Sequence, residues 1–415
     1  MSARALVLLG ASPWEGSVVA GLTHPASRVE IVRRCVDTAD LLAASAAGLG
    51  QVAVIGADAP RLDSDVLARV QDSGLALIAL INRGDERARD LMTSWGADVI
   101  VDIDPQELGK GVGELISSVH HLADHGRSST KFEDEGHEDV LHAGGRVICV
   151  WGPAGAPGRT TVAIGIADEC ANSGLHTILI DADTWAPSIS LALGLADDGV
   201  GLASACRRAL TGALDVRSFQ SLLRPLNDRL TVLTGIGRAD RWTEVRRSAF
   251  LNVLQRACAQ AVVVVIDCGS PLESDEELLF DTSAPRRNAA TFVALEQATN
   301  IVVVGSADPI GLVRLVNGLS DLRDLELGAE VHVVANRVRE SMLGRHPQDS
   351  VADVLSRHAK LERVWCIPQD SAAMDHAIRE GCTLSEIGDS SPARLAMAAL
   401  VGEITAQVSV IPRSA

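Results

Sequence analysis

A chain of 415 residues is longer than one ordinary domain and suits two, and its 47% hydrophobic and 22% charged residues exclude wholesale disorder and fibrous architecture. A formal net charge of −17 argues against general nucleic-acid binding, which needs a basic footprint to release counterions from phosphate. The chain has no tyrosine, which excludes any mechanism built on tyrosine autophosphorylation.

The opening MSARALVLLGASPWEG reads as a strand and a turn rather than a signal peptide, and no apolar run reaches the length of about 18 residues that a membrane span needs. The expectation is a cytoplasmic protein. Apolar runs ALVLLG, VEIVRRC, QVAVIGA, LALIALI and ADVIVDI alternate with amphipathic segments such as TADLLAASAAGLG, DSDVLARVQDSG and DERARDLMTSWG. This βα alternation predicts a flavodoxin-like doubly wound domain over residues 1–122.

The spacing of these runs resembles response-regulator receiver domains, which carry an acidic pair after the first strand and a phosphoacceptor aspartate after the third. Here the first loop has the single acid Glu15, and Gly56 occupies the acceptor position. Asp58 and Asp63 lie nearby and read as turn and helix-cap residues. The domain is read as a degenerate receiver, kept for docking.

The stretch ADHGRSSTKFEDEGHEDVLHAGG, residues 123–145, is polar, acid-rich and without periodicity, and predicts a flexible linker. Cysteines 35, 149, 170, 206, 258, 268, 366 and 382 are scattered without a CxxC pair, which points to buried thiols rather than a zinc or redox site. Arginines crowd the 206–247 region, and the preferred reading is a solvated helical surface rather than a DNA contact.

The second half, 146–415, opens with RVICVWGPAGAPGRTTVAIGIADECANSG: an apolar strand, a glycine-rich loop, then an amphipathic helix. Loop amides and a helix N-terminus aimed at an anion are what phosphate binding requires. The candidate cradle is Gly152, Ala154, Gly155, Ala156, Gly158, Arg159, Thr160 and Thr161. It departs from GxxxxGK[ST], because Pro153 stands at the first glycine, Pro157 removes an amide donor and Arg159 replaces the lysine. By itself such a loop is also compatible with an ordinary strand-to-helix turn.

Three later strand ends add carboxylates. HTILIDADTWAPSISLALGL carries Asp181 and Asp183, and QAVVVVIDCGSP carries Asp267, the position of an acid that holds magnesium together with Thr160. EVHVVANRV then presents Asn336, and ERVWCIPQDSAAMDHAIREG presents Pro368 and Asp370. Taken singly, a strand-end aspartate is as readily a helix cap.

This ordered set resembles the ParA/MinD superfamily of P-loop ATPases, and with a receiver-like domain in front it looks most like the CpaE/TadZ branch. The resemblance implies a P-loop fold with a mainly parallel sheet, ATP and Mg2+ as ligands, Asp183 and Asp181 near the attacking water and the metal, and Asn336, Pro368 and Asp370 around the base. It also implies a homodimer and protein partners in a pilus-assembly or cell-division machine. The family's second lysine, which crosses to the other subunit, aligns with Ala154, so weak ATPase activity and an inactive scaffold both stay open. An amidoligase-like enzyme is a further alternative, opposed by the chain's three lysines, Lys110, Lys131 and Lys360. The tail ARLAMAALVGEITAQVSVIPRSA has few cations and no aromatic, and is expected to pack on its domain rather than bind a membrane.

Overall fold

Runs rich in Val, Ile and Leu become strands buried on both faces when helices cover both sides of a parallel sheet. The computed structural model, which describes residues 2–10, 12–60, 62–125, 145–195, 200–273, 286–388 and 390–406, shows two such sheets. Residues 2–125 fall in one unit, and 145–273 with 286–406 fall in the other.

The first unit has strands β1 (Ala3–Leu8), β2 (Val29–Arg34), β3 (Val52–Gly56), β4 (Ala76–Asn82) and β5 (Val99–Ile103). They are all parallel in the order β2-β1-β3-β4-β5, the flavodoxin-like arrangement. Alternation along the strands sends Leu6, Leu8, Ala53 and Ile55 to the face carrying Leu41, Leu67 and Met92. The intervening Ala5, Val7, Val52 and Val54 meet Val18, Leu22, Leu115 and Val119 on the other.

Helix starts follow the acids: Asp37, Asp63 and Asp85 each accept an amide of the first turn. At the C-terminal end of the sheet, Ser12 Oγ donates to Asp58 Oδ2, and Gly10 and Gly56 lie against that carboxylate. The last helix, Leu108–His125, continues past the boundary expected at residue 122, and Ala123 beyond it still packs against the core. The rest of the expected linker up to residue 144 lies outside the described residues.

The second unit has strands β6 (Arg146–Trp151), β7 (Thr177–Ala182), β8 (Arg224–Pro225), β9 (Leu230–Leu233), β10 (Val263–Cys268), β11 (Asn300–Ser306), β12 (Glu330–Val338) and β13 (Trp365–Pro368). Their order is β13-β12-β11-β6-β10-β7-β9-β8, parallel throughout except for β8 against β9. Val147, Cys149 and Trp151 face a layer holding Phe250, Leu254, Leu315 and Leu319, while Ile148 and Val150 face Ile166, Met397, Leu400 and Val401. The C-terminal helix Pro392–Thr405 thus packs on the sheet, as its apolar face predicts.

Six cysteines are buried, and burial drives thiols such as Cys170 up to about 12, which keeps them unreactive. Cys366 and Cys382 differ from expectation in being only half-buried. In the arginine-rich stretch, Arg207 and Arg241 pair with Glu244, Arg238 with Asp240 and Arg247 with Glu296, as a solvated surface would. Among the described residues no helix is long and apolar enough to cross a membrane.

Candidate functional site

β6 lies between β10 and β11, and from its C-terminal end the chain runs through 152–158 into helix Arg159–Asn172. Ala156 N donates to Pro153 O at 3.0 Å, and Val162 N to Gly158 O at 2.9 Å, so a tight turn passes directly into the helix. Gly155 and Gly158 have φ of +75° and +93°, conformations that side chains resist. The first-turn amides have no intrahelical acceptor, and with the helix dipole they favour an anion there.

Asn336, at the end of β12, donates its side-chain amide to Pro157 O at 3.0 Å, and its oxygen accepts from Arg337 N at 2.9 Å. A Cβ on Gly158 would lie 2.3 Å from Asn336 Nδ2. The amide expected to read a base is therefore turned onto the loop in this structure. Pro368, in register with Val338, sits on the neighbouring strand end. Asp370 is committed to structure: it caps helix Ser371–Glu380 through Ala373 N and accepts from Ser391 Oγ at 2.7 Å.

Arg159 folds back over its own loop. Nη1 reaches Gly152 O at 3.3 Å and Pro153 O at 3.4 Å, and Nη2 lies 3.6 Å from Asp183 Oδ2. Its Nε is buried without a partner. Asp183 Oδ1 meanwhile accepts from Trp185 N at 2.9 Å and Ala186 N at 3.0 Å, fixing the turn after β7.

Ladder register puts Asp181 directly beside Asp267. Asp181 Oδ2 accepts from Ser188 N and Ile189 N at 2.9 and 3.0 Å, while both oxygens of Asp267 are buried with no hydrogen-bond partner. Burial is the main cause that raises Asp181 to about 7, with the Asp183 charge adding to it and three backbone amides opposing. Asp267 is pushed well above the ordinary carboxylate value by burial and then by Asp181 and Asp183, with Thr160 and Arg159 opposing. Thr160 Oγ1, in the first turn of the loop helix, accepts from Ser188 Oγ at 3.3 Å.

A buried carboxylate with both oxygens orphaned is costly unless protonated or met by a cation, so the donor set Thr160 plus Asp267 fits a hard divalent ion. Among the described residues no three His, Cys, Asp or Glu side chains gather around one metal position. Magnesium would suit such a sparse site, because it is commonly held by one or two protein side chains and takes its other ligands from phosphate and water.

Ala154 and Gly155 are exposed, Ala156 is buried, and Thr161 lines an apolar pocket of about 320 Å³ with Ile164, Met374 and Ile378. Three neighbours were not anticipated from sequence. Ser188 touches Thr160. Trp185, 47% exposed, donates Nε1 to Asn288 Oδ1 at 3.0 Å and stacks under Arg287 at 4.0 Å. Arg314, from helix Pro309–Arg323, lies against Gly155. No local motif signals these contacts; the Ser after Ala-Pro in the Asp183 segment was the nearest cue.

No protein-family model matches the chain. It is 25% identical over 215 residues to a protein of Tupiella akineta named as septum site-determining MinD, a match covering 50% of this chain and 62% of that one. A protein of the same name from Oltmannsiellopsis viridis is 22% identical over 253 residues, covering 60% of this chain and 72% of that one. The chain thus spans less than two thirds of the first of these relatives. Among solved structures, the cell division ATPase MinD of Pyrococcus furiosus superposes with a TM-score of 0.50 at 20% identity, covering 63% of this chain and 99% of that one. A ParA family ATPase from Chlorobium tepidum gives 0.51 at 15% identity, covering 62% and 98%. The chain carries the α/β fold of the MinD and ParA P-loop ATPases, and its sequence is similar to proteins of the MinD name.

Proposed function

We propose that the chain binds ATP with Mg2+ at the loop 152–161 and uses nucleotide state to control homodimerisation and the docking of protein partners. On this reading it is a positioning protein of the CpaE/TadZ type, acting in the placement of a pilus-assembly or septum machine. The observation that carries the proposal is the orphaned, buried Asp267 carboxylate, set beside Asp181 by strand register and at the foot of a phosphate loop whose first helical turn presents Thr160. The names of the similar proteins support the septum-site direction.

Thr160 and Asp267 would hold magnesium, which when bound neutralises charge on the phosphates. Arg159 would exchange its loop carbonyls for phosphate oxygens, freeing Asp183 Oδ2 to orient water. The first unit, with Gly56 where a phosphoacceptor would stand, would serve as the docking module. Recruitment to a pole or septum would then come from the partner.

Calorimetric titration with ATP, with and without magnesium, followed by a phosphate-release assay, tests this. Magnesium-dependent binding with slow release supports it, and absence of binding overturns it. A second reading, a scaffold that does not hydrolyse nucleotide, is favoured by Arg159 already bonded into its own loop and by the uncharged Ala154. Binding without phosphate release would select it.

A further inference from the structure

Two arginines reach the phosphate loop, and only one belongs to its motif. Helix Pro309–Arg323 follows β11, the neighbour of β6, and buries Leu312, Leu315 and Leu319 against the sheet. That packing fixes the position from which Arg314 extends. A Cβ built on Gly155 would fall 2.0 Å from Arg314 Nη1 and 3.2 Å from its Cζ, so the guanidinium lies on the bare backbone of the loop. One turn along, Pro153 closes on Gly318, where a Cβ would meet the proline ring at 3.0 Å, so helix and loop touch at two successive turns.

The guanidinium borders an open hollow of about 360 Å³ shared with Ala154, Asn317 and Asp321. Arg314 is exposed, and among the described residues no ion pair or hydrogen bond ties it, to Asp321 or to any other group. Arg159 is the opposite case, since three oxygens already surround its guanidinium. Ala154 offers no charge at all.

A nucleoside triphosphate brings more negative charge than one guanidinium balances, and the outermost phosphate carries the most. An arginine fork suits phosphate oxygens in geometry as well as charge, and arginines placed in this way act on terminal phosphates in other nucleotide hydrolases. We propose that Arg314 is a second phosphate-binding residue, which contacts the terminal phosphate of a nucleoside triphosphate on the loop and makes the site distinguish triphosphate from diphosphate. The inference rests on the nucleotide-binding reading above and adds to it a residue outside the loop.

The test is calorimetric titration of the full chain with ATP and, separately, with ADP, each with magnesium, for the parent, Arg314→Ala and Arg314→Lys. Because Arg314 is exposed, neither substitution disturbs the core. Arg314→Ala is expected to weaken ATP binding by about ten- to a hundredfold, the effect of losing charge-assisted hydrogen bonds. ADP binding should stay within about twofold, and Arg314→Lys should restore part of the ATP loss. Unchanged ATP affinity, or equal losses for ATP and ADP, would overturn the inference while leaving the nucleotide site in place. A parent chain that binds neither nucleotide would overturn the nucleotide reading and this inference with it.

Discussion

Asn336 and Pro157, 179 positions apart in sequence, are joined by a hydrogen bond of 3.0 Å from the side-chain amide to the carbonyl, so the end of β12 holds the 152–158 loop in place. Removing this donor in Asn336→Ala leaves the Pro157 carbonyl without its partner at a cost of about 1 kcal/mol, or about fivefold in a local opening equilibrium. Amide hydrogen exchange in the 152–161 segment should accelerate by that factor while the first unit is unaffected. Unaltered exchange would show that the loop is held by its turn alone.

Arg159 separates an active loop from an inert one. Arg159→Ala should weaken ATP binding by about ten- to a hundredfold through lost charge-assisted bonds. Lysine at this position keeps the charge but not the planar guanidinium, whose Nη1 meets Gly152 O and Pro153 O while its Nη2 faces Asp183. If the loop has been reshaped around the fork, Arg159→Lys binds ATP more weakly than the parent. If nothing in nucleotide affinity moves with either substitution, the loop has no phosphate role.

The Asp181–Asp267 pair predicts a pH effect in the chain free of nucleotide and metal. Burial raises Asp181 from 3.8 to about 7, so the folded chain holds more protons than the unfolded one across that window. The stability this contributes is complete below 3.8 and is lost as pH rises through about 7. Asp267, raised for the same reason, adds to the loss. In Asp267→Asn one titrating group is gone and its neighbour is relieved of a charge, so thermal midpoints should decline less steeply between about pH 4 and pH 7. Parallel profiles for parent and variant would refute this.

The first unit should take no phosphoryl group. Gly56 cannot accept one, and Asp58 is bound to Ser12 Oγ among the glycines of the adjoining turns. Acyl-phosphate donors or beryllofluoride should therefore leave the mass and the spectrum of the chain unchanged, and a modification mapped to Asp58 would contradict the proposed docking role.

The strands were legible because a parallel strand covered on both faces must be apolar along nearly its whole length, as VAVIG is and as VVVIDC is up to its aspartate. The strand-end acids were legible because a charge that closes such a run stands out. Whether each is a cap or a ligand was not legible, since the letter is the same: Asp370 caps a helix, whereas neither oxygen of the buried Asp267 carboxylate meets a hydrogen-bond donor. The short β8 against β9 went unseen because Arg224–Pro225 has no apolar alternation to announce it. Arg314 was invisible for another reason: nothing in PIGLVRLVNG says which loop its second turn will meet, and only the β11–β6 pairing decides that.

The stacking of Trp185 on Arg287 also gives the molecule a built-in optical probe. With six tryptophans, no tyrosine and five weakly emitting phenylalanines, ultraviolet emission is dominated by indole. Trp14 and Trp151 are buried and Trp95, Trp242 and Trp365 half-buried, which leaves Trp185 as the indole open to solvent. Its backbone nitrogen is held by the same Asp183 carboxylate that faces Arg159. A ligand that draws Arg159 away from Asp183 removes a positive charge from the carboxylate that anchors the turn carrying that indole, so the intensity and wavelength of its light are expected to respond to the loop without any label attached.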